Sequence, residues 1–401
     1  MNIPSHILKR EKYIAQIQPF IRKNLVKVLT GQRRVGKSYI VFQLINHILE
    51  QDEHANIIYI NKEDLQFDFI KEANDLNSYI TSKIKSDVHN YIFIDEIQDI
   101  IDFEKAIRSL LLNESNDIYI TGSNAKMLSG ELSTYLSGRY IEITIYSLSY
   151  SEFLLFHKLE NNEGSMEHYF KYGGLPYLIN LPLNEQAFEY LKSIYTTILF
   201  RDVISRYHLR TSIFLEKLVL FLADNIGSLF SAKKISDFLK SQQTKIAPNQ
   251  IQLYAKYLVN AYIIHDVDRY DIIGKRIFEI GSKFYFENTG IRNAIVGYRP
   301  QDLSKLLENV VHNHLLYLGY KTKVGTLNTK EIDFLAERNN ELIYVQVALK
   351  LDDEATIKRE FENLLQIDNN YPKYVITNTR FNGNTYKGIQ HIYIRDFLMW
   401  E

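Results

Sequence analysis

Residues 27 to 44 read KVLTGQRRVGKSYIVFQL, and one spacing within them constrains the fold more than any other: Gly31, four residues, then Gly36, Lys37 and Ser38. Such a loop closes its backbone N–H groups around phosphate oxygens only where a strand feeds it and a helix leaves it. Both flanks meet that demand. Residues 25–30 (LVKVLT) form a short β-branched and apolar run, and residues 37–50 place Ile40, Leu44 and Ile48 on one helical face. The glycines let the backbone approach phosphate closely, and the helix N-terminus adds the positive end of its dipole. Gly31, Gln32, Arg33, Arg34, Val35, Gly36, Lys37 and Ser38 are therefore the expected ATP contacts. Within them Lys37 is expected at the β- and γ-phosphates, and the Ser38 hydroxyl on Mg²⁺.

Using that nucleotide requires a second element, an acid at the end of a buried strand to hold the metal and a base beside it for water. NYIFIDEIQDI (90–100) offers both. Tyr91 to Ile94 are continuously apolar, as in a parallel strand covered on both faces. Asp95 then suits the Mg²⁺ shell, and Glu96 suits polarising the attacking water. A third apolar run, DIYITGSNAKML (117–128), carries Thr121, Gly122, Ser123 and Asn124 at its polar end. Asn124, preferred to Ser123, is placed to sense the γ-phosphate or orient the water. Arg139, just before another strand, is a candidate for neutralising transition-state charge, within the chain or across a subunit interface.

The totals exclude more than they assign. At 401 residues the chain calls for two or three domains. With 47 Lys plus Arg against 48 Asp plus Glu, no global charge drives it onto nucleic acid or lipid. The absence of Cys removes thiolate metal sites and Cys nucleophiles and fits a reducing compartment. No apolar stretch has the length of a membrane span, so the expectation is a cytoplasmic protein with no membrane partner.

Taken together, these motifs resemble the AAA-type (AAA+) P-loop ATPase family of bacteria and archaea. Its members carry GxRRxGK[ST], a strand ending DEIQ, another ending TGSN/S, then SGR and SxxEF. Here these are Gly31 to Ser38, Asp95-Glu96-Ile97-Gln98, Thr121-Gly122-Ser123-Asn124, Ser137-Gly138-Arg139 and Ser151-Glu152-Phe153. The similarity continues through YGGLPYLI (172–179) and RDVISRY (201–207). It implies an ASCE-type sheet with an extra strand between the phosphate-loop strand and the DE strand, and a C-terminal domain of the PD-(D/E)xK nuclease fold. No second-sensor arginine of the family is placed in this sequence.

Residues 147–208 read as a mostly helical lid, with YGGLPYL as a glycine-containing break. Residues 209–298 read as a winged helix: a helix over 211–230, a second N-capped by Ser231, a third opening at Pro248, then a hairpin. A DNA-binding version would present Asn249, Gln250, Gln252 and Lys256 from the third helix and Arg269, Lys275 and Arg276 from the wing. Basic residues are few there, so protein docking is preferred to DNA. Residues 299–401 resemble the nuclease fold, with Glu308 and Asp333 at its first acidic positions. Gln346 stands where the third acid belongs and Ala348 where the lysine belongs, which predicts an inactive domain. Lys350, two residues on, is the one substitute nearby. His312-Asn313-His314 is read as an ordinary helical stretch, since residues two apart on a helix do not face each other.

The fold expected is thus α/β: a P-loop parallel sheet (1–146), then lid, winged helix and a restriction-endonuclease-like tail. The function expected is an Mg²⁺-dependent ATPase whose nucleotide state rearranges the later domains. An ATP-gated regulatory or binding protein with slow hydrolysis is the alternative, an active endonuclease the least favoured. Partners expected are ATP, a protein client or DNA, and further copies of the chain.

Overall fold

The computed structural model describes residues 3–4, 6–125, 135–136, 138–209, 212–241, 243, 245–274, 281–328, 330–381 and 384–401. Ser137, Lys275 and Arg276, named above, lie outside the described residues. The chain forms two compact units: residues 1–146 with 260–262, and residues 147–259 with 263–401.

The first unit is built on five parallel strands: β1 (Val26–Thr30), β2 (Asn56–Asn61), β3 (Asn90–Asp95), β4 (Asn116–Gly122) and β5 (Tyr140–Thr144). Their order is β2-β3-β4-β1-β5, so β4 is inserted between the strand that feeds the glycine loop and the strand that ends in Asp95. β1, β3 and β4 are buried along their whole length, which is why they are mostly apolar rather than alternating. Helices Lys37–Gln51, Ala73–Thr81 and Phe103–Leu110 accompany the sheet. Val26, Val28, Ile92, Ile94, Ile118 and Ile120 pack with Leu76, Ile80 and Ile107 into one core.

One residue breaks the apolar rule in β1. Lys27 is fully buried and ion-paired to Asp117 of β4. Asp117 also accepts from the Arg22 backbone at 2.8 Å and from the Tyr119 hydroxyl at 2.7 Å, so the buried carboxylate is surrounded by donors. Burial pulls the Lys27 ammonium below its ordinary pKa, and Asp117 opposes that.

The second unit opens with helices Tyr150–His157, Glu163–Tyr172 and Glu185–Thr197. Ser149 and Glu152 form a reciprocal capping box at the first of these. Helices Ile213–Asp224, Ala232–Ser241 and Pro248–Asn260 follow, with Ser231 accepting from the Lys234 backbone at 3.3 Å. Its strands are β6 (Leu229–Phe230), β7 (Ile264–Asp271), β8 (Ser282–Phe286), β9 (Lys321–Leu327), β10 (Lys330–Arg338), β11 (Glu341–Ala348), β12 (Lys373–Thr377), β13 (Thr385–Tyr386) and β14 (Ile389–Tyr393). β7 and β8 make the antiparallel hairpin expected from their alternation. β7 also runs parallel to β9, pairing Arg269–Asp271 with Val324–Thr326. The hairpin and the tail strands therefore share one nine-stranded sheet, in the order β13-β14-β12-β11-β10-β9-β7-β8-β6.

Helix Leu303–Tyr317 covers that sheet with Leu307, Val310 and Val311, which pack with Tyr285, Phe334 and Val345. His312 is buried and stacks on Tyr285 with ring centres 4.5 Å apart. Burial pushes its pKa down to about 3, so it stays neutral. Asn313 donates to the Phe286 and Glu287 carbonyls at 2.9 Å, and His314 packs edge-on to Phe397. These three residues are thus engaged in contacts within the second unit.

Candidate nucleotide site

The glycine loop joins β1 to helix Lys37–Gln51, and two backbone requirements explain its composition. Gly31 has φ +138°, and a Cβ there would lie 2.1 Å from the Ile145 carbonyl oxygen, so only glycine fits. Gly36 caps the helix at φ +98° and turns the chain into its first residue, Lys37. The Lys37 ammonium folds back along the loop, donating to the carbonyls of Gly31 at 3.1 Å and Gln32 at 3.2 Å. It stands 3.8 Å from Glu96 Oε1.

Asp95 ends β3 almost wholly buried and takes hydrogen bonds from the hydroxyls of Ser38 and Thr121. Burial raises its pKa, while these hydroxyls and Lys37 oppose the rise. Glu96 turns the chain off the strand at φ +56°, with its N–H on Thr121 Oγ1 at 3.1 Å. Its carboxylate accepts from Ser123 Oγ at 3.2 Å and from the Gln98 amide. Burial works to raise the Glu96 pKa, yet Lys37, Arg33 and the two hydrogen bonds hold it below the ordinary glutamate value, so it is ionised at neutral pH. Arg33, itself buried, ion-pairs with Glu63 at 2.9 Å.

The structure thus brings Lys37, Ser38, Asp95 and Glu96 together from two motifs some sixty residues apart in sequence. Asn124 is 1% exposed just past β4. Gln32 turns its amide to the Tyr262 carbonyl at 2.7 Å, within the same unit. Arg34 takes φ +72° in the loop and Val35 is buried beneath it. Arg139 is not part of the set: it is exposed where β5 begins, and its carbonyl accepts from the Val26 N–H at 3.0 Å. Three participants carry no signal of their role in the sequence: Thr121, which ties Asp95 to Glu96; Gln98, which orients Glu96; and Tyr59, whose hydroxyl reaches Asp95 at 3.4 Å. Thr121 and Gln98 at least lie inside legible motifs, whereas nothing in the sequence marks Tyr59.

The donor set fits a magnesium nucleotide. A serine hydroxyl and a buried carboxylate share one point, and a lysine stands beside a backbone cradle, the loop 31–38, whose Gly31 packs too close to the Ile145 carbonyl for a side chain. A parallel sheet with a strand inserted between loop strand and acid strand, closed by this cradle, defines a P-loop nucleotide-binding domain.

Comparison with known proteins agrees. Residues 23–154 match the family described as an AAA domain, and residues 163–302 match a domain of unknown function. An uncharacterized protein of Haemophilus influenzae is 36% identical over 98% of this chain and 99% of its own length. The uncharacterized protein MJ1544 of Methanocaldococcus jannaschii is 30% identical over 90% of this chain and 85% of its own. Among solved structures, the Aeropyrum pernix ORC1 protein in complex with DNA superposes with a TM-score of 0.34 at 11% identity, covering 73% of this chain and 93% of that one. That likeness is too loose to carry an argument. The chain belongs to the family of these bacterial and archaeal proteins, and its first unit is an AAA domain of the P-loop class.

Proposed function

We propose that the protein is an Mg²⁺-dependent ATPase whose nucleotide state acts on the rest of the chain. The observation that carries this reading is Glu96: an ionised carboxylate one residue past the metal-site Asp95, 3.8 Å from the phosphate-loop lysine and held by Ser123 and Gln98. The backbone of 31–38 and Lys37 bind the triphosphate, and Ser38 with Asp95 hold the metal. Glu96 accepts the proton of the attacking water, and Asn124 orients that water at the end of β4. Bound Mg²⁺ supplies neutralisation of the β- and γ-phosphate oxygens. Steady-state phosphate release that is lost in Lys37→Ala, together with its ATP binding, tests the assignment. Unchanged ATP affinity in that variant sinks it.

Beyond hydrolysis, we read residues 209–298 as a winged helix used for docking protein rather than DNA, since its candidate contacts carry a modest number of basic groups, Lys256, Arg269, Lys275 and Arg276. The tail is read as a nuclease-like domain that does not cut, because Gln346 brings no charge and Ala348 no water-positioning amine. Lys350 does not replace that amine, being 57% exposed and 3.9 Å from Asp352. Incubation with linear and supercoiled DNA plus Mg²⁺ or Mn²⁺ is expected to leave both intact, and cutting that Asp333→Ala abolishes would reverse this.

A further inference from the structure

The lysine that the tail lacks at position 348 has a counterpart elsewhere in the same sheet. Lys283, on β8, is 4% exposed, and its ammonium lies 2.9 Å from Glu308, 2.7 Å from Glu331 and 3.6 Å from Asp333. Strand alternation explains the convergence: Lys283 and Tyr285 share one face of β8, and Glu331 and Asp333 share one face of β10. Glu308 reaches the same point from helix Leu303–Tyr317.

The surroundings fix these groups in place. The Tyr285 hydroxyl donates to Glu308 Oε1 at 2.6 Å, and the Val347 N–H donates to Asp333 Oδ2 at 2.9 Å. Gly227 closes the cluster from another side, since a Cβ on it would come within 3.2 Å of both Glu308 carboxylate oxygens. Gln346, one strand over from Asp333, spends its amide nitrogen on Glu360 Oε2 at 3.1 Å.

We propose that Lys283 is a built-in cation that fills the acidic centre of the second unit, hydrogen-bonded to Glu308 and Glu331 and ion-paired with Asp333, three acids that would otherwise hold a divalent metal. This deepens the reading that the tail does not cut, and it is tested by metal binding rather than cleavage. An ammonium offers three donors, of which Glu308 and Glu331 take two, and Asp333 adds its charge at 3.6 Å. A lysine that positions water beside a metal has a different geometry, because its acids point at the metal and only the amine faces the water. In this centre all three acids lie within 3.6 Å of the amine. The same neighbours outweigh burial at Lys283 and hold it protonated.

The experiment titrates Mn²⁺, without nucleotide, into the full chain carrying Asp95→Asn, which removes the phosphate-loop metal ligand, and reads bound Mn²⁺ by electron paramagnetic resonance at pH 8.5. The expected result is no stoichiometric site in this parent. Adding Lys283→Met keeps the apolar stem, removes the charge and creates one Mn²⁺ site. The gain in affinity should be roughly tenfold or more, because carboxylates freed of their cation suit such an ion. Adding Asp333→Asn to that variant should abolish the new site.

A parent that already binds one Mn²⁺ and loses it on Lys283→Met would overturn the proposal, as would a folded Lys283→Met chain that gains nothing. Should Lys283→Met unfold, the parent alone still decides: a thermal transition raised by millimolar Mn²⁺ overturns the proposal, and an unmoved one supports it. Metal binding by the parent without DNA cleavage would defeat the lysine proposal alone. Metal-dependent cleavage would defeat the non-cutting reading as well.

Discussion

Replacing Glu96 by glutamine tests the catalytic assignment with the least disturbance of shape. The carboxylate lies 3.8 Å from the Lys37 ammonium, in a pocket where both groups are nearly buried. At an effective dielectric of 20 that separation corresponds to an attraction of about 4 kcal/mol, much of it offset by the desolvation of both ions. Glutamine keeps the volume and the oxygen that Ser123 contacts, but gives up this attraction and the proton-accepting group. Lys37 is then no longer shared between Glu96 and the incoming phosphates. ATP affinity should therefore be unchanged or tighter, by up to about tenfold, which is about 1.4 kcal/mol and well inside the Coulomb figure. Turnover should fall by about 10² to 10⁴, the range a positioned general base supplies, or about 2.7 to 5.5 kcal/mol of barrier. The pH profile carries a signed prediction. Because Glu96 titrates below the ordinary glutamate range, wild-type turnover should persist into mildly acidic solution and fall only as pH drops through that lowered value; the variant should lack this limb. Calorimetric titration of ATP and steady-state phosphate release are the assays. Turnover within about threefold of wild type refutes the general-base role, and lost ATP binding in a folded variant shows Glu96 to be structural instead.

Three further outcomes are expected. Arg139, exposed at the start of β5, is proposed to act on a neighbouring subunit's nucleotide: mixing Arg139→Ala with Lys37→Ala protein should restore part of the phosphate release that each lacks, and no recovery in proven mixed assemblies argues for a role within one chain. Lys27→Met should destabilise the chain by about 3 to 5 kcal/mol in denaturant unfolding, because it leaves Asp117 charged and buried, while adding Asp117→Leu should recover much of that loss. Asp333 has a folded pKa raised from 3.8 to about 8, so the folded state holds the extra proton and stability should decline as pH rises between those values. Asp333→Asn should flatten that decline, and an unchanged slope between denaturation midpoints at pH 5 and pH 8.5 would remove Asp333 as its source.

What could be read from sequence alone was local. The phosphate loop, its strand and its helix are contiguous, so glycine placement and periodicity reveal them before any packing is known. Asp95 and Glu96 were legible for the same reason: an unbroken apolar run that stops at two adjacent acids marks a buried parallel strand and the polar mouth at its end. Long-range pairing decided the rest. Lys27 reads as a flaw in an apolar strand until Asp117, 90 residues away, is seen beside it. Thr121 reads as a strand end until its hydroxyl is found bridging Asp95 and Glu96. The tail shows the gap most plainly. A search along β11 finds no lysine where one belongs, while the folded sheet brings Lys283 in from β8 because β7 pairs both with β8 and with β9. Backbone periodicity is set by neighbours a few residues away and survives in the sequence. Which buried charge meets which is set by strand order and register, and only the tertiary fold decides those.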